Sequence, residues 1–462
     1  MIFKKFVKKR QSVWKRAFSL SWPVAIEQSL NTLMRTVDII ITGLISPAAV
    51  AAVGLADLYA QISMRVGKAL GAGSIALSSQ DTGRGADNLV NRAVTQALII
   101  GFLSGIPLVI FGIYFSYLAI EILGAESDVV TLGGVYLMII LSVAPMRISG
   151  LAGYKSLQGT GDTRTPMYIN VVSNIINVFG SIFLGLGLFV FPTLGIIGVG
   201  VATAISRTIE FILIIVIIYS DFSDLQFTKP QSMVITKQLL KISIPNFAEG
   251  MSTSIAAFPF NALILTFGTN VNAAYHISRR IYQQIAAPSY RSFGVAASII
   301  VGQLIGGSNM DDARFSGSSI VVFASIVQFI LGCVIFVLAE PLVGFFTSDI
   351  DVVEYAVDFT RVYAISMVSF GIFTGYAGSL YGAGDTKTPF YARLVSEFVF
   401  MLSFSYVASI VLGFGLIGIY VGIALCYVCR AGIVAGGFLR GNWADKATDM
   451  MDERTKNSIS ET

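Results

Sequence analysis

The sequence predicts an all-α polytopic membrane protein of about twelve transmembrane helices, arranged as two pseudo-symmetric six-helix lobes around a central cavity. Three observations lead there. The 462 residues are 55% hydrophobic and 13% charged, against roughly 25% charged in a soluble protein. Apolar runs of about 20 residues, long enough to cross a bilayer, follow one another between polar punctuation. A ten-residue motif recurs 223 residues after its first copy. The composition excludes a soluble single-core fold and intrinsic disorder. It also excludes an outer-membrane barrel, whose strands alternate over about 10 residues and do not read as continuously apolar.

The apolar segments fall at 20–46, 50–78, 89–117, 129–150, 166–190, 195–220, 239–268, 273–302, 315–338, 352–381, 388–412 and 415–439. They divide the chain into a basic N-terminal segment 1–19, a first lobe 20–220, a linker 221–238, a second lobe 239–440 and a polar tail 441–462. The opening MIFKKFVKKRQSVWKR is basic and lacks the compact apolar core and small-residue cleavage site of a removable signal, so it is expected to be a cytosolic anchor. With both termini cytosolic, the outer connections are LISPA, EILGAESD, FVFPT, FGTNVN, AEPLVGFFTSDID and GFG, none of which contains Lys or Arg. Arg84, Arg92, Lys155, Arg164, Lys229, Lys237, Arg314 and Lys387 fall in or beside the inner connections, the asymmetry that positive-inside orientation demands. The expected location is the cytoplasmic membrane.

Metal and redox chemistry find little material. Cys333, Cys426 and Cys429 all sit inside apolar runs, and His276 is the single histidine, so neither a zinc cluster nor a disulfide framework is expected. The Cys426-x-x-Cys429 pair lies within a span and reads as packing. No cofactor and no nucleic-acid partner is expected. A membrane-embedded enzyme would need paired catalytic groups facing a cleft, which one histidine does not supply.

GTGDTRTPMY at 159–168 returns as GAGDTKTPFY at 382–391. Tyr59, Gln61, Gly71 and Gln80 match Tyr282, Gln284, Gly294 and Gln303 at the same step, while Pro23 and Glu27 match Pro245 and Glu249 one residue closer. An even number of spans per repeat keeps both lobes in one orientation, as in parallel-repeat transporters, and makes the lobe interface the expected substrate path. The GDT(R/K)TP element itself reads as a glycine-punctuated turn followed by Pro166 at a helix start, a structural device.

The duplicated GDTxTP, the span-opening Pro23 and Pro245, AAVG at 51–54 and AAYH at 273–276 together resemble the multidrug and toxic compound extrusion (MATE) family over nearly the whole chain. The resemblance implies a secondary active efflux antiporter that exports small organic compounds in exchange for protons or sodium, by alternating access between its two lobes. Neither an enzymatic activity nor an oligomer is implied, so the chain is expected to act as a monomer in the lipid bilayer. The alternative within transport is a flippase or exporter of an anionic or lipid-linked substrate of the same superfamily.

Polar residues inside spans are costly in hydrocarbon and should face the bundle interior or a water-filled cavity. In the first span Glu27, Asn31, Arg35, Asp38 and Thr42 share one helical face. Asp38 stands about 22 Å beyond Pro23 along the axis, where a carboxylate is neutralised more cheaply than it is left charged. It is therefore a coupling-ion candidate, and the resemblance implies the same role for an acid at its position. A structural ion pair with Arg35 is the competing reading. The fifth span carries Asn170, Asn174, Asn177 and Ser181 on one face, suited either to solvating a carried ion or to interhelical amide bonding.

In the second lobe Glu249 and Thr253 begin the matching stripe, but Phe260 replaces the acid, which leans the expectation towards coupling through the first lobe. Asp57, Gln61, Arg65 and Lys68 on one helix, and His276, Arg280, Gln283 and Arg291 on its repeat partner, form basic stripes that with Arg279 suit anionic or zwitterionic groups, unless they pair with Asp57, Glu27 and Glu249 or snorkel to an interface. Arg393 and Glu397 are spaced for an i, i+4 ion pair or a cytosolic gate. Arg207 and Arg430 occupy matching repeat positions and read as structural. The coupling set is thus Asp38, Glu27, Asn174 and Asn177, and the cavity set is Asn31, Arg35, Gln61, Arg65, Asn170, Ser181, Glu249, Thr253, His276, Arg280, Gln283 and Gln284.

Overall fold

The computed structural model describes residues 2–188, 191–220, 222–230 and 233–460, and among them there is helix but no strand. Val190 at the expected end of the fifth span, Phe189 beside it in FVFPT, Asp221, Gln231 and Ser232 in the linker, Met1 and the last two tail residues lie outside the described residues. The chain forms two compact units: Ile26–Ser243 with Asp452–Thr462, here the first unit, and Met1–Ala25 with Ile244–Met451, the second unit.

The helices are α1 (Ile2–Ile45), α2 (Pro47–Gly83), α3 (Asp87–Glu121), α4 (Ser127–Ser142), α5 (Ala144–Thr160), α6 (Arg164–Gly180), α7 (Ile196–Tyr219) and α8 (Met233–Leu265). They continue with α9 (Thr269–Gly306), α10 (Met310–Val337), α11 (Ala339–Gly344), α12 (Ile350–Gly382), α13 (Lys387–Val395), α14 (Leu416–Arg440) and α15 (Trp443–Ser460). Each expected apolar segment lies on this helical framework. Eight helical segments are long and apolar enough to cross a membrane, and the pair α4 and α5, bent by 46°, makes a ninth. The bend falls where Pro145 interrupts the amide ladder. Helices α1, α8 and α9 are absent from that set because they carry the polar and basic stripes.

Local chemistry sets the ends. The Ser46 hydroxyl accepts from the Ala49 amide at 3.0 Å and Pro47 opens α2, a capped start. Gly195 and Gly415 precede α7 and α14 with φ of 58° and 57°, left-handed values that a side chain would resist. In the repeated motif Asp162 Oδ1 accepts from the amides of Arg164 and Thr165 at 3.1 and 3.0 Å, and Asp385 Oδ1 accepts from the Thr388 amide at 3.1 Å. The carboxylate of each copy is thus spent on a helix start.

Two starts differ from expectation. Pro23 and Pro245 lie inside α1 and α8 instead of opening them, because helix extends well before each. In the second unit the early turns of α1 are held by packing. The Trp14 indole donates to the Ser319 carbonyl at 2.9 Å and stacks on Phe323, Ala17 is fully buried, and Lys9 meets Asp312 at 2.5 Å. The tail is tied as firmly within the first unit. Arg454, with a fully buried side chain, donates to Gln238 Oε1 at 2.6 Å, Gln80 Oε1 at 2.9 Å and Asp81 Oδ1 at 3.0 Å. Burial pushes its guanidinium below the ordinary arginine range, and the Asp81 charge opposes that.

Candidate functional sites

In the first unit Asp38 is half-buried on α1, and its Oδ1 accepts from the hydroxyl of Ser181 at 3.2 Å. Ser181 is the first residue of a π-helical turn, Ser181–Gly185, that continues α6. Such turns re-aim side chains and recur at functional positions. The amides form a ladder beside it: Asn174 Nδ2 donates to Asn170 Oδ1 at 2.7 Å, and Asn170 Nδ2 to Asn31 Oδ1 at 3.3 Å. Asn177 instead donates to Thr203 Oγ1 at 2.9 Å. The Oδ1 atoms of Asn174 and Asn177 are buried and accept no hydrogen bond, leaving two acceptors open to an incoming donor or cation.

Arg35 does not pair with Asp38. It is exposed and its Nη2 lies 3.4 Å from Met64 Sδ. A largely enclosed cation of this unit, Arg207, binds Glu210 at 2.5 Å, and Ser173 donates to the same Glu210 oxygen at 3.4 Å. Glu27 is buried away from Asp38 in hydrogen-bonding terms, accepting from Gln158 Nε2 at 3.1 Å and Gln28 Nε2 at 2.9 Å, while Lys155 donates to Gln158 Oε1 at 2.7 Å. Gln158 and Lys155 so position a carboxylate that the sequence groups with Asp38.

The second unit repeats this plan with different chemistry. Glu249 accepts from Tyr381 Oη at 2.6 Å, where Tyr381 is the repeat counterpart of Gln158, and from Arg393 Nε at 2.9 Å, where Arg393 is the counterpart of Asn170. Glu397 stands at the position of Asn174. Its Oε1 accepts from Arg430 Nη2 at 3.0 Å and from Thr253 Oγ1 at 3.0 Å, with Arg393 Nη1 4.0 Å away. Its Oε2 is buried without a partner. Glu397 is the second residue of a π-helical stretch, Ser396–Phe404, as Ser181 is the first of one in the first unit. The expected i, i+4 pair of Arg393 and Glu397 is therefore the long edge of a network whose short edges run to Glu249 and Arg430.

Thr253, Arg393, Glu397 and Arg430 line a cavity of about 60 Å³ together with Arg279 of α9 and a wall of tyrosines. His276 and Arg280 are exposed, Gln61 and Gln283 are half-buried, and none of these four hydrogen-bonds to either cluster. Arg65 and Gln284 are half-buried. The cation of α9 that reaches the cavity is Arg279, not Arg280. Sequence periodicity grouped Arg280 with His276, but the two face outward from the unit while their neighbour turns in. Glu210, Glu397, Arg393, Arg430 and Tyr381 are the site residues missing from the expected set. Laying Asn170 and Asn174 beside Arg393 and Glu397 in the repeat is the signal that finds two of them.

The chain matches the MatE family model over residues 23–183 and 245–407, one stretch in each repeat. It is 27% identical over 425 residues to the uncharacterized transporter YisQ of Bacillus subtilis, covering 87% of this chain and 89% of that one. It is 24% identical over 460 residues to the probable multidrug resistance protein NorM of Thermotoga maritima, covering 98% of each. Among solved structures it superposes on a MOP superfamily transporter of Pyrococcus furiosus with a TM-score of 0.85 at 21% identity, over 95% of this chain and 96% of that one; that protein's binding pocket is described as having reverse polarity. The two matched stretches together cover most of the chain, and the protein belongs to the MatE family of multidrug efflux transporters, multi-pass membrane proteins and not enzymes.

Proposed function

We propose that the protein is a proton-coupled efflux antiporter of the cytoplasmic membrane, working by alternating access, with both termini cytosolic and Asp38 as the group that takes up and releases the proton. The observation that carries the reading is the pairing of Asp38 with Ser181 alone, beside two buried amide oxygens with no donor. A single carboxylate free of an ion pair suits a proton, because protonation removes the whole charge and so changes which packing of α1 is preferred. Glu397, by contrast, is paired with a buried arginine, Arg430. The cytosolic placement of the termini follows from the Lys and Arg asymmetry of the connections.

Reconstitution into vesicles, with imposed proton or sodium gradients and a panel of cationic and anionic dyes, tests the reading. Export driven by a proton gradient in sodium-free medium is expected. Export that follows only the sodium gradient would replace the proton by sodium at the same residues.

A further inference from the structure

We propose that the cavity of the second unit is a subsite for the acidic head group of an organic monoanion, whose carboxylate is held by Arg279. This deepens the efflux reading and rests on it for the purpose of binding, though not for the binding itself.

Three arginines line the cavity, and two of them are matched: Arg393 lies 2.9 Å from Glu249 and Arg430 lies 3.0 Å from Glu397. Arg279 has no carboxylate within ion-pair distance among the described residues. One positive charge is therefore left over in a space walled by protein. Inside a membrane-spanning bundle an unmatched guanidinium is costly, and such residues mark ligand or ion pathways. An anion brought in by a ligand would supply the missing partner, in the bidentate geometry that a guanidinium offers to a carboxylate.

The wall indicates what is attached to that carboxylate. Tyr282 stacks on Tyr363 with ring centroids 4.8 Å apart, and Tyr427 packs on Phe370 at 4.2 Å. Tyr282, Tyr363 and Tyr427 line the same cavity as Arg279. A flat, conjugated body can lie against such rings. A volume of about 60 Å³ equals about two waters, so only the head group enters. A dianion such as a phosphate monoester would leave one charge unmatched, since the surplus is a single positive charge. Glu397 Oε2, unpartnered in the same cavity, adds that a donor beside the carboxylate would be welcomed and a second acid repelled.

Benzoate, benzamide and benzylamine are probes of one shape and three charges. Equilibrium dialysis of radiolabelled benzoate against the full-length protein in detergent, with the unlabelled compounds as competitors, reads the preference without any gradient. Benzoate is expected to compete at least about tenfold more strongly than benzamide, since charge-assisted bonds are roughly twice as strong as neutral ones. Arg279→Gln should lose benzoate binding by about tenfold or more, Arg279→Lys should retain part of it, and Arg361→Gln, a change at an arginine lying over the Phe336 ring, should retain all of it. Equal competition by benzamide, or undiminished benzoate binding by Arg279→Gln, would overturn the proposal. Should the Arg279 variants not fold, the wild-type competition decides alone. Efflux that fails while benzoate still binds removes the antiporter reading and leaves this one; the reverse removes only this one.

Discussion

Arg430 Nη2 and Glu397 Oε1 lie 3.0 Å apart, both side chains almost wholly buried, on helices that their repeat counterparts Arg207 and Asn174 occupy in the first unit. The arginine is kept in both repeats, while its acid sits on the π-helical stretch that continues α13 in one and on α7, as Glu210, in the other. Placing the acid on α7 leaves position 174 free to be an amide in the first unit. There Asp38 has no ion pair among the described residues and accepts from Ser181. The second unit pairs its buried acids, Glu249 and Glu397, with arginines.

Removing one member of the buried pair should be costly. Glu397→Gln leaves Arg430 buried without its ion partner, and Arg430→Met does the same to Glu397; each should destabilise the detergent-solubilised protein by about 3–5 kcal/mol. The double variant should recover most of that loss. Thermal unfolding of the four proteins measures the coupling, and additive losses would argue against it.

Ser181→Ala removes the one hydrogen bond that Asp38 receives. A bond to a charged group contributes about 1.5–3 kcal/mol, so gradient-driven export should slow roughly tenfold or more, with expression unchanged. Ser181→Thr keeps the hydroxyl and should retain transport. Initial rates in vesicles check both.

Gly378 and Gly432 give a paired packing test. A methyl at Gly378 would clash with the Gly294 carbonyl oxygen, backbone against backbone, whereas nothing lies within 4 Å of one at Gly432. Gly378→Ala should destabilise by about 1–3 kcal/mol or more through forced helix separation. Gly432→Ala should be neutral or stabilising by up to about 1 kcal/mol from helix propensity. Melting temperatures of the two variants should move in opposite directions or differ by several degrees.

Arg454→Lys retains charge but not the fork that reaches Gln238, Gln80 and Asp81 together. It should loosen the end of α15, raising its susceptibility to limited proteolysis, and destabilise by about 1–3 kcal/mol. An unchanged cleavage pattern would show that the tail is held by other contacts.

The orientation of the chain has its own check. A cysteine introduced at Asn270, in the first turn of α9 beside a Lys- and Arg-free connection, should be labelled by an impermeant reagent from outside intact cells. Labelling only after the cytosolic side is opened would invert the topology.

The fold was legible because apolar length and charge asymmetry are properties of single segments, and the repeat supplied its own register. Asp38 and Ser181 were legible for the same reason, since i, i+4 spacing places each on a polar stripe before any packing is known. Arg279 and Arg280 mark the limit. Adjacent residues on a helix differ by about 100° in direction, and which of the two turns inward depends on how Tyr363 and Tyr427 on other helices fill the space. Glu210 is three residues from Arg207, a local spacing, but its second partner Ser173 lies on another helix. The π-helical turns at Ser181 and Ser396 have no periodic signature of their own, although both carry the polar contacts that define the sites.

The measurement closest to the central claim is uphill export by Asp38→Asn in vesicles under an imposed proton gradient, with substrate binding followed in parallel. The amide keeps the shape of the protonated acid and removes its titration. The account predicts that proton-driven accumulation is abolished while expression and binding remain close to wild type. Uphill export at the wild-type rate by this variant would contradict it.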